Sequence, residues 1–295
     1  MVRMKRLTIE LPREMAALVS DLLLGLEAGA VSEEQRDHGE PLIHAYFKEE
    51  TDIAGIITTV RKFSMLFGEN ADAVRFTTRY INQADWEDWK SYLKPVRASR
   101  RIVIKPPWEK QYKAEQGTKV VEINPGNAFG TGHHETTRIC VSYLDEIIEK
   151  SPGCSVFDVG CGSGILGICS IKLGAYISFC ADIDFKAAKE TISNSARNAT
   201  SDKVKVWCGS ADCTRKKFDV VVSNTSKDTL ISMRENLKER LLPLGHLIVS
   251  GVQANEKREV AEIYGNSGYD IVSGKVEGGW AGLLLRLKKT RKPER

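Results

Sequence analysis

Two hundred and ninety-five residues, 42% apolar and 28% charged, make one large domain or two ordinary ones. They exclude a disulfide-stapled miniature, wholesale disorder and a collagen-like repeat. Forty-three basic against 39 acidic residues leave a net charge of only +4. The last ten residues, RLKKTRKPER, hold six of the basic groups and one acid, so the body of the chain is not a nucleic-acid-style cation. That tail reads as a solvated terminus, with RNA or an acidic partner as its only candidate contacts.

Seven cysteines, all beyond residue 139, include no CxxC pair. A zinc ribbon and a thioredoxin-type site are therefore not indicated, and reduced thiols in a cytoplasmic protein are expected. Basic residues at 3, 5 and 6 precede an apolar stretch, but Asp21 interrupts it, which argues against a signal peptide. No apolar run approaches the length of a spanning helix.

Residues 3–11 alternate as a strand, and Pro12 and Glu14 open a helix whose apolar positions run from Met15 to Leu26. Strands follow over about 29–35 and 41–48, then an amphipathic helix over 52–67 and a short strand over 73–80. This order predicts a small α+β domain of ferredoxin-like type over residues 1–80, in which His38 and His44 read as structural or surface histidines. Residues 81–118 carry Trp86, Trp89 and Trp108 with three prolines, and read as a connector with a short helix and one strand at Ile102–Ile104.

Beyond residue 119 the pattern becomes βαβα. Strands are expected at Val156–Val159, Ile177–Asp182, Val204–Cys208, Phe218–Ser223 and Leu247–Ser250, with helices at 137–149, 164–173, 185–198 and 228–241. Such alternation predicts a mostly parallel sheet with helices on both faces. Tyr269–Lys275 and Trp280–Leu287, joined across Gly278-Gly279, predict an antiparallel hairpin at one sheet edge. The α/β domain spans 119–288, leaving 289–295 as the basic tail.

The chemistry centres on Asp158-Val-Gly160-Cys-Gly162-Ser-Gly164-Ile-Leu-Gly167, a strand running into a glycine turn and a helix. Its second half also fits the dinucleotide fingerprint GxGxxG. However, an acid two residues before the first glycine repels a pyrophosphate and suits the cationic amino-acid part of S-adenosyl-L-methionine. Asp182 closes the next strand, where an acid can hold ribose hydroxyls. Gly209-Ser210-Ala211-Asp212 is expected near the adenine, and Asn224 ends the fourth strand of this run. The two histidines 133 and 134 lack a third clustered ligand, so no metal is expected.

The stretch Asn124-Pro-Gly-Asn-Ala-Phe-Gly-Thr-Gly-His-His-Glu-Thr-Thr137, together with DWEDWKSYLKPVR, KPPWE, DVGCGSGILG and ADID, resembles the PrmA-type family, the methyltransferases of ribosomal protein L11. The resemblance implies a Rossmann-like class I methyltransferase domain behind a substrate-recognition domain, with S-adenosyl-L-methionine as cofactor. It implies cofactor contacts at Thr137, Gly160, Gly162, Asp182 and Asn224, with Asn224 bordering the transferring methyl and Phe129 covering the cofactor. The implied substrate is ribosomal protein L11, methylated on lysine side chains or the N-terminal amine.

Two departures stand out. Thr225-Ser226-Lys227 replaces the family's apolar Ile-Leu-Ala after the asparagine, and Pro243-Leu244-Gly245 replaces Pro-Gly-Gly in a turn. The first leaves open a different protein substrate, or a cofactor-binding non-enzyme that docks on the ribosome. An RNA methyltransferase is suggested only by the basic tail.

Overall fold

The computed structural model describes residues 4–34, 36, 39–66, 74–81, 93–125, 130 and 132–288. The expectations placed on His38, Trp86, Trp89, Phe129 and residues 289–295 lie outside these. The chain divides into two compact units, Met1–Lys94 and Pro95–Arg295, with the boundary inside the segment expected as a connector.

The first unit runs β1 (Met4–Glu10), α1 (Ala16–Gly25), β2 (Ala30–Glu34), β3 (Leu42–Lys48), α2 (Ile53–Leu66) and β4 (Arg75–Ile81). Its four strands form an antiparallel sheet in the order β2-β3-β1-β4. Strand side chains alternate, so Leu7 and Ile9 of β1 and Ile43, Ala45 and Phe47 of β3 share one face. That face is buried against Val19 and Leu23 of α1 and Val60 of α2. The arrangement is ferredoxin-like, as the element order predicts.

In the second unit a small sheet comes first: β5 (Val96–Arg97), β6 (Ile102–Lys105) and β7 (Lys119–Glu122). β5 is antiparallel to β6, and β7 is parallel to it. Only β6 is expected from the sequence, because its apolar triplet Ile102–Ile104 stands out, whereas the two residues of β5 and the charge-flanked Lys119–Glu122 of β7 do not. The main layer follows as α3 (Glu135–Lys150), β8 (Ser155–Val159), α4 (Ile165–Leu173), β9 (Ile177–Asp182), α5 (Phe185–Arg197) and β10 (Val204–Cys208). It continues through β11 (Phe218–Asn224), α6 (Lys227–Glu239), β12 (Leu241–Gln253), α7 (Lys257–Asn266), β13 (Tyr269–Glu277) and β14 (Trp280–Leu287).

Seven strands pair in the order β10-β9-β8-β11-β12-β14-β13. The first five are parallel, while β14 runs antiparallel to both β12 and β13. One core packs α3 and α4 on the sheet through residues such as Ile139, Tyr143 and Ile168. The other packs α6 and α7 through Leu230, Leu237, Val260 and Tyr264. Helix α7 was not expected: of its ten residues, KREVAEIYGN, only Val260 and Tyr264 are buried. Among the described residues no helix is long and apolar enough to cross a membrane.

β12 starts earlier than expected and passes through the altered turn. Leu244 there adopts φ 65°, a left-handed conformation that costs a residue with a Cβ about 1–2 kcal/mol. Glycine avoids that cost, which explains physically why the family resemblance has glycine at this position.

Candidate active site at the carboxyl edge of the sheet

The strand register aligns the expected site residues. Val159 lies opposite both Ala181 and Ser223, so the next residue on each strand brings Asp182, Gly160 and Asn224 into one row. Asn224 pairs in turn with Ser250 of β12, and Asp182 with Cys208 of β10. This row is the carboxyl edge of the five parallel strands. Strand order reverses between β8 and β11, and open α/β sheets bind ligands in the crevice at such a switch point. Gly160 and Asn224 flank it.

The glycine loop is held from below. Gly162 N–H donates to Asp182 Oδ2 at 2.9 Å, while Asp184 N–H donates to Oδ1 at 2.9 Å. Each oxygen of an ionised carboxylate keeps a second lone pair, so Asp182 can still accept from a ribose hydroxyl. Helix α5 supports the loop's other side: Thr191 Oγ1 donates to Gly162 O at 2.9 Å and Asn194 Nδ2 to Ser163 O at 3.0 Å. Asn194 Oδ1 also accepts from Asn124 N–H at 3.0 Å, and Asn198 brackets Glu122 through both its backbone groups. The side chains of Thr191, Asn194 and Asn198 were not singled out in the sequence, although their spacing of three and four places them on one face of α5.

The loop before α3 lies against the same structure. Ser163 Oγ donates to Gly130 O at 2.6 Å. Gly132, at φ 90°, packs so tightly that a Cβ would come within 2.7 Å of Ile104 on β6. His134 caps α3 by accepting from Thr136 N–H at 3.3 Å, and its ring meets Trp280 edge-on at 4.9 Å. Arg138 of α3 ion-pairs with Glu277 at 2.7 Å, which fastens the β13–β14 hairpin over the start of the helix. Thr137, one turn in, is fully buried, and its Oγ1 has no hydrogen-bond partner among the described residues. His134 and Trp280 thus join the start of α3 to the closing hairpin, whose Trp280 is also among the residues that resemble the family.

Two observations fit S-adenosylmethionine to these residues. Thr137 offers a buried hydroxyl with spare hydrogen-bonding capacity. Gly160, at φ 75°, has no atom within 4 Å of where a Cβ would stand, so its α-carbon faces open space. Asn224 is half-buried at the end of β11, and no hydrogen bond engages its side chain among the described residues. Thr225 N–H donates to Ser250 O at 3.0 Å, and Gly251 lies so close that a Cβ would reach 2.2 Å from Thr225 O. The segment carrying Asn224 is therefore seated tightly against β12. In the turn after β10, expected near the adenine, Ala211 is buried and Asp212 exposed. Two surface cavities, of about 590 and 430 Å³, lie elsewhere, beside Ile177 and Val204 at the amino ends of β9 and β10 and between α3 and β13.

Asp158 lies one residue before the end of β8. It faces the α4 side of β8, fully buried, and Oδ2 accepts from Gly167 N–H at 3.1 Å. Oδ1 has no partner among the described residues. Strand alternation turns the carboxyl to the same face as Val156. Burial pushes its pKa up to about 7, and the Asp182 charge adds to this while the Gly167 bond opposes it.

An unfolded aspartate loses its proton near pH 4, so between about pH 4 and pH 7 the native state binds more protons. Stability therefore falls as pH rises through that window. Urea unfolding of the cofactor-free protein should show Asp158→Asn more stable than wild type at pH 8, by roughly 2–4 kcal/mol, with the difference gone near pH 4. Parallel pH profiles for the two proteins would contradict the assignment.

The parallel five-stranded half, the glycine loop opening into α4, the acid closing β9 and the antiparallel last pair define a class I S-adenosylmethionine-dependent methyltransferase. Over residues 6–288 the chain matches the family model described as "Ribosomal protein L11 methyltransferase (PrmA)". It is 36% identical over 253 residues to the ribosomal protein L11 methyltransferase of Alkaliphilus metalliredigens, covering 84% of this chain and 78% of that protein. To the protein of the same description from Geobacter sulfurreducens it is 34% identical over 295 residues, covering 94% and 96%. The crystal structure of a ribosomal protein L11 methylase from Lactobacillus delbrueckii subsp. bulgaricus superposes with a TM-score of 0.61 at 28% identity, covering 66% of this chain and all of that one. The chain belongs to the ribosomal protein L11 methyltransferase family.

Proposed function

We propose that the protein transfers methyl groups from S-adenosylmethionine to amines of ribosomal protein L11, on lysine side chains, the N-terminal amine or both. The observation that carries the reading is the Asn224 amide, which engages no hydrogen bond among the described residues, beside Gly160 at the switch point in a chain of this family. Thr137 would hold the cofactor by its hydroxyl and Asp182 by the ribose, while Gly160 and Gly162 let it lie on the backbone. When bound, S-adenosylmethionine would supply an electrophilic methyl, whose bond to the acceptor nitrogen would form as its bond to sulfur breaks, with S-adenosylhomocysteine as the leaving group.

The chain's own residues then have three tasks: to align the amine, to keep it neutral and to exclude water. A lysine amine has a reference pKa of about 10.4, so only its neutral fraction attacks, and burial raises that fraction. The Asn224 amide oxygen accepts one N–H of the neutral amine and aims its lone pair across the switch point. Residues 1–80 dock the protein substrate in this reading.

The test is incubation with methyl-labelled S-adenosylmethionine, using purified ribosomal protein L11 beside whole-cell lysate. Label is expected on amines of L11. Label only on another lysate protein would move the reading to a different substrate. Cofactor binding with no label on any acceptor would make the protein a non-enzyme. Residues 95–295 alone should bind the cofactor yet leave L11 unlabelled; labelling that survives the deletion would remove the first unit from substrate docking.

A further inference from the structure

Lys227 stands where helix electrostatics disfavours a cation. It is the first residue of α6, at the positive end of the helix dipole, and it follows Asn224 by three positions. Its Nζ lies 3.1 Å from Glu256 Oε1 and 3.1 Å from Glu259 Oε2, at the start of α7. The other oxygen of Glu256 accepts from Gln253 N–H at 3.0 Å, and the Gln253 side chain returns the bond as a capping box. Gln253 in turn pairs with Trp280 on β14. One ammonium therefore joins the turn that leaves β11 to the turn that leaves β12.

Thr225 is seated on β12, but among the described residues few other side-chain ties hold the first turn of α6 that follows it. Ser226 makes no side-chain capping bond, and its hydroxyl is engaged with Thr229 Oγ1 at 2.8 Å. The next fixed point is Leu230, buried, whose carbonyl accepts from Tyr264 Oη at 2.8 Å. Two carboxylates against one ammonium also leave this rim net negative, so the lysine does not repel a cationic acceptor.

We propose that Lys227, clamped between Glu256 and Glu259, is a positioning residue that fixes the acceptor side of the site and presents Asn224 to the incoming amine. The clamp rests on the reading of Asn224 as the residue bordering the acceptor. An ionic tie thus stands where the family resemblance has the apolar Ile-Leu-Ala. Partly exposed ion pairs add little to global stability, so the effect belongs in turnover and in local order.

The test compares Lys227→Met, Lys227→Arg and Asn224→Ala in the full-length protein, with S-adenosylmethionine and purified L11. Lys227→Met is expected to lower kcat about 5- to 50-fold through misplacement of Asn224, with cofactor Kd and the melting curve essentially unchanged. Lys227→Arg should restore most of kcat, because a guanidinium can still reach both carboxylates. Without any cofactor, amide hydrogen exchange at Thr225–Thr229 should speed up in Lys227→Met. Glu259→Gln serves as a second variant and should lower kcat in the same direction.

Wild-type turnover in Lys227→Met and Glu259→Gln, or an arginine variant as slow as the methionine one, overturns the clamp. Normal turnover in Asn224→Ala instead overturns the reading beneath it, so the two failures are distinguishable.

Discussion

Replacing Asn224 by alanine is expected to lower single-turnover methylation of L11 by about 10²- to 10³-fold, through loss of a hydrogen bond and of alignment at the reacting amine. The melting temperature should hardly move. The Asn224 side chain is half-buried and engages no hydrogen bond among the described residues, so removing it orphans nothing in the fold. The backbone that carries it is held independently, by the Thr225–Ser250 bond and the close seat against Gly251. Cofactor affinity measured by calorimetry should fall far less than kcat. Unchanged turnover would remove Asn224 from the mechanism.

The second large effect is expected at Gly160, and it should separate binding from folding. A valine there meets no protein atom within 4 Å at its Cβ, yet it projects into the space assigned to the cofactor. Overpacking a filled site costs roughly 1–3 kcal/mol, so S-adenosylmethionine Kd should rise by about 100-fold, while the strain of a β-branched residue at φ 75° lowers stability with or without cofactor. Gly164→Ala is the control. Its Cβ would stand 2.6 Å from Thr191 Cγ2 and 2.9 Å from Thr191 Oγ1, so it should cost stability first, by roughly 2–4 kcal/mol. Calorimetry for binding and urea unfolding for stability read the two apart. Gly160→Val binding as tightly as wild type would place the cofactor elsewhere.

Legibility in the sequence followed periodicity. The strands Ile177–Asp182 and Val204–Cys208 were readable to the residue because apolar runs end there at turn residues. The glycine loop, Asp182 and Asn224 were readable because each directly follows or ends a strand, and the register then places them in one row. What local pattern hid was long-range. β7 is a strand only because β6, fourteen residues earlier in the chain, pairs with it. Asn194 and Asn198 look like surface amides of a polar helix until the backbone of Glu122 and Asn124 is folded onto them. Alternation along β8 already puts Asp158 on the inner face with Val156. At Thr225-Ser226-Lys227 the change was visible, but its acidic partners lie 29 and 32 residues further along the chain, in the unexpected helix and the turn before it.

The cysteines provide a spectroscopic handle on the crevice. Five of the seven thiols are buried, and burial raises the pKa of Cys154 to about 11 and pushes those of Cys140 and Cys169 higher still. Cys213 is half-buried and its pKa is also raised by burial. Cys208 alone is exposed, and it sits beside Asp182 in the strand register. A thiol-reactive fluorophore therefore has one open address on the native protein, next to Asp182, and if Asp182 holds the cofactor its emission would report occupancy in real time without a purified acceptor or a radiolabel.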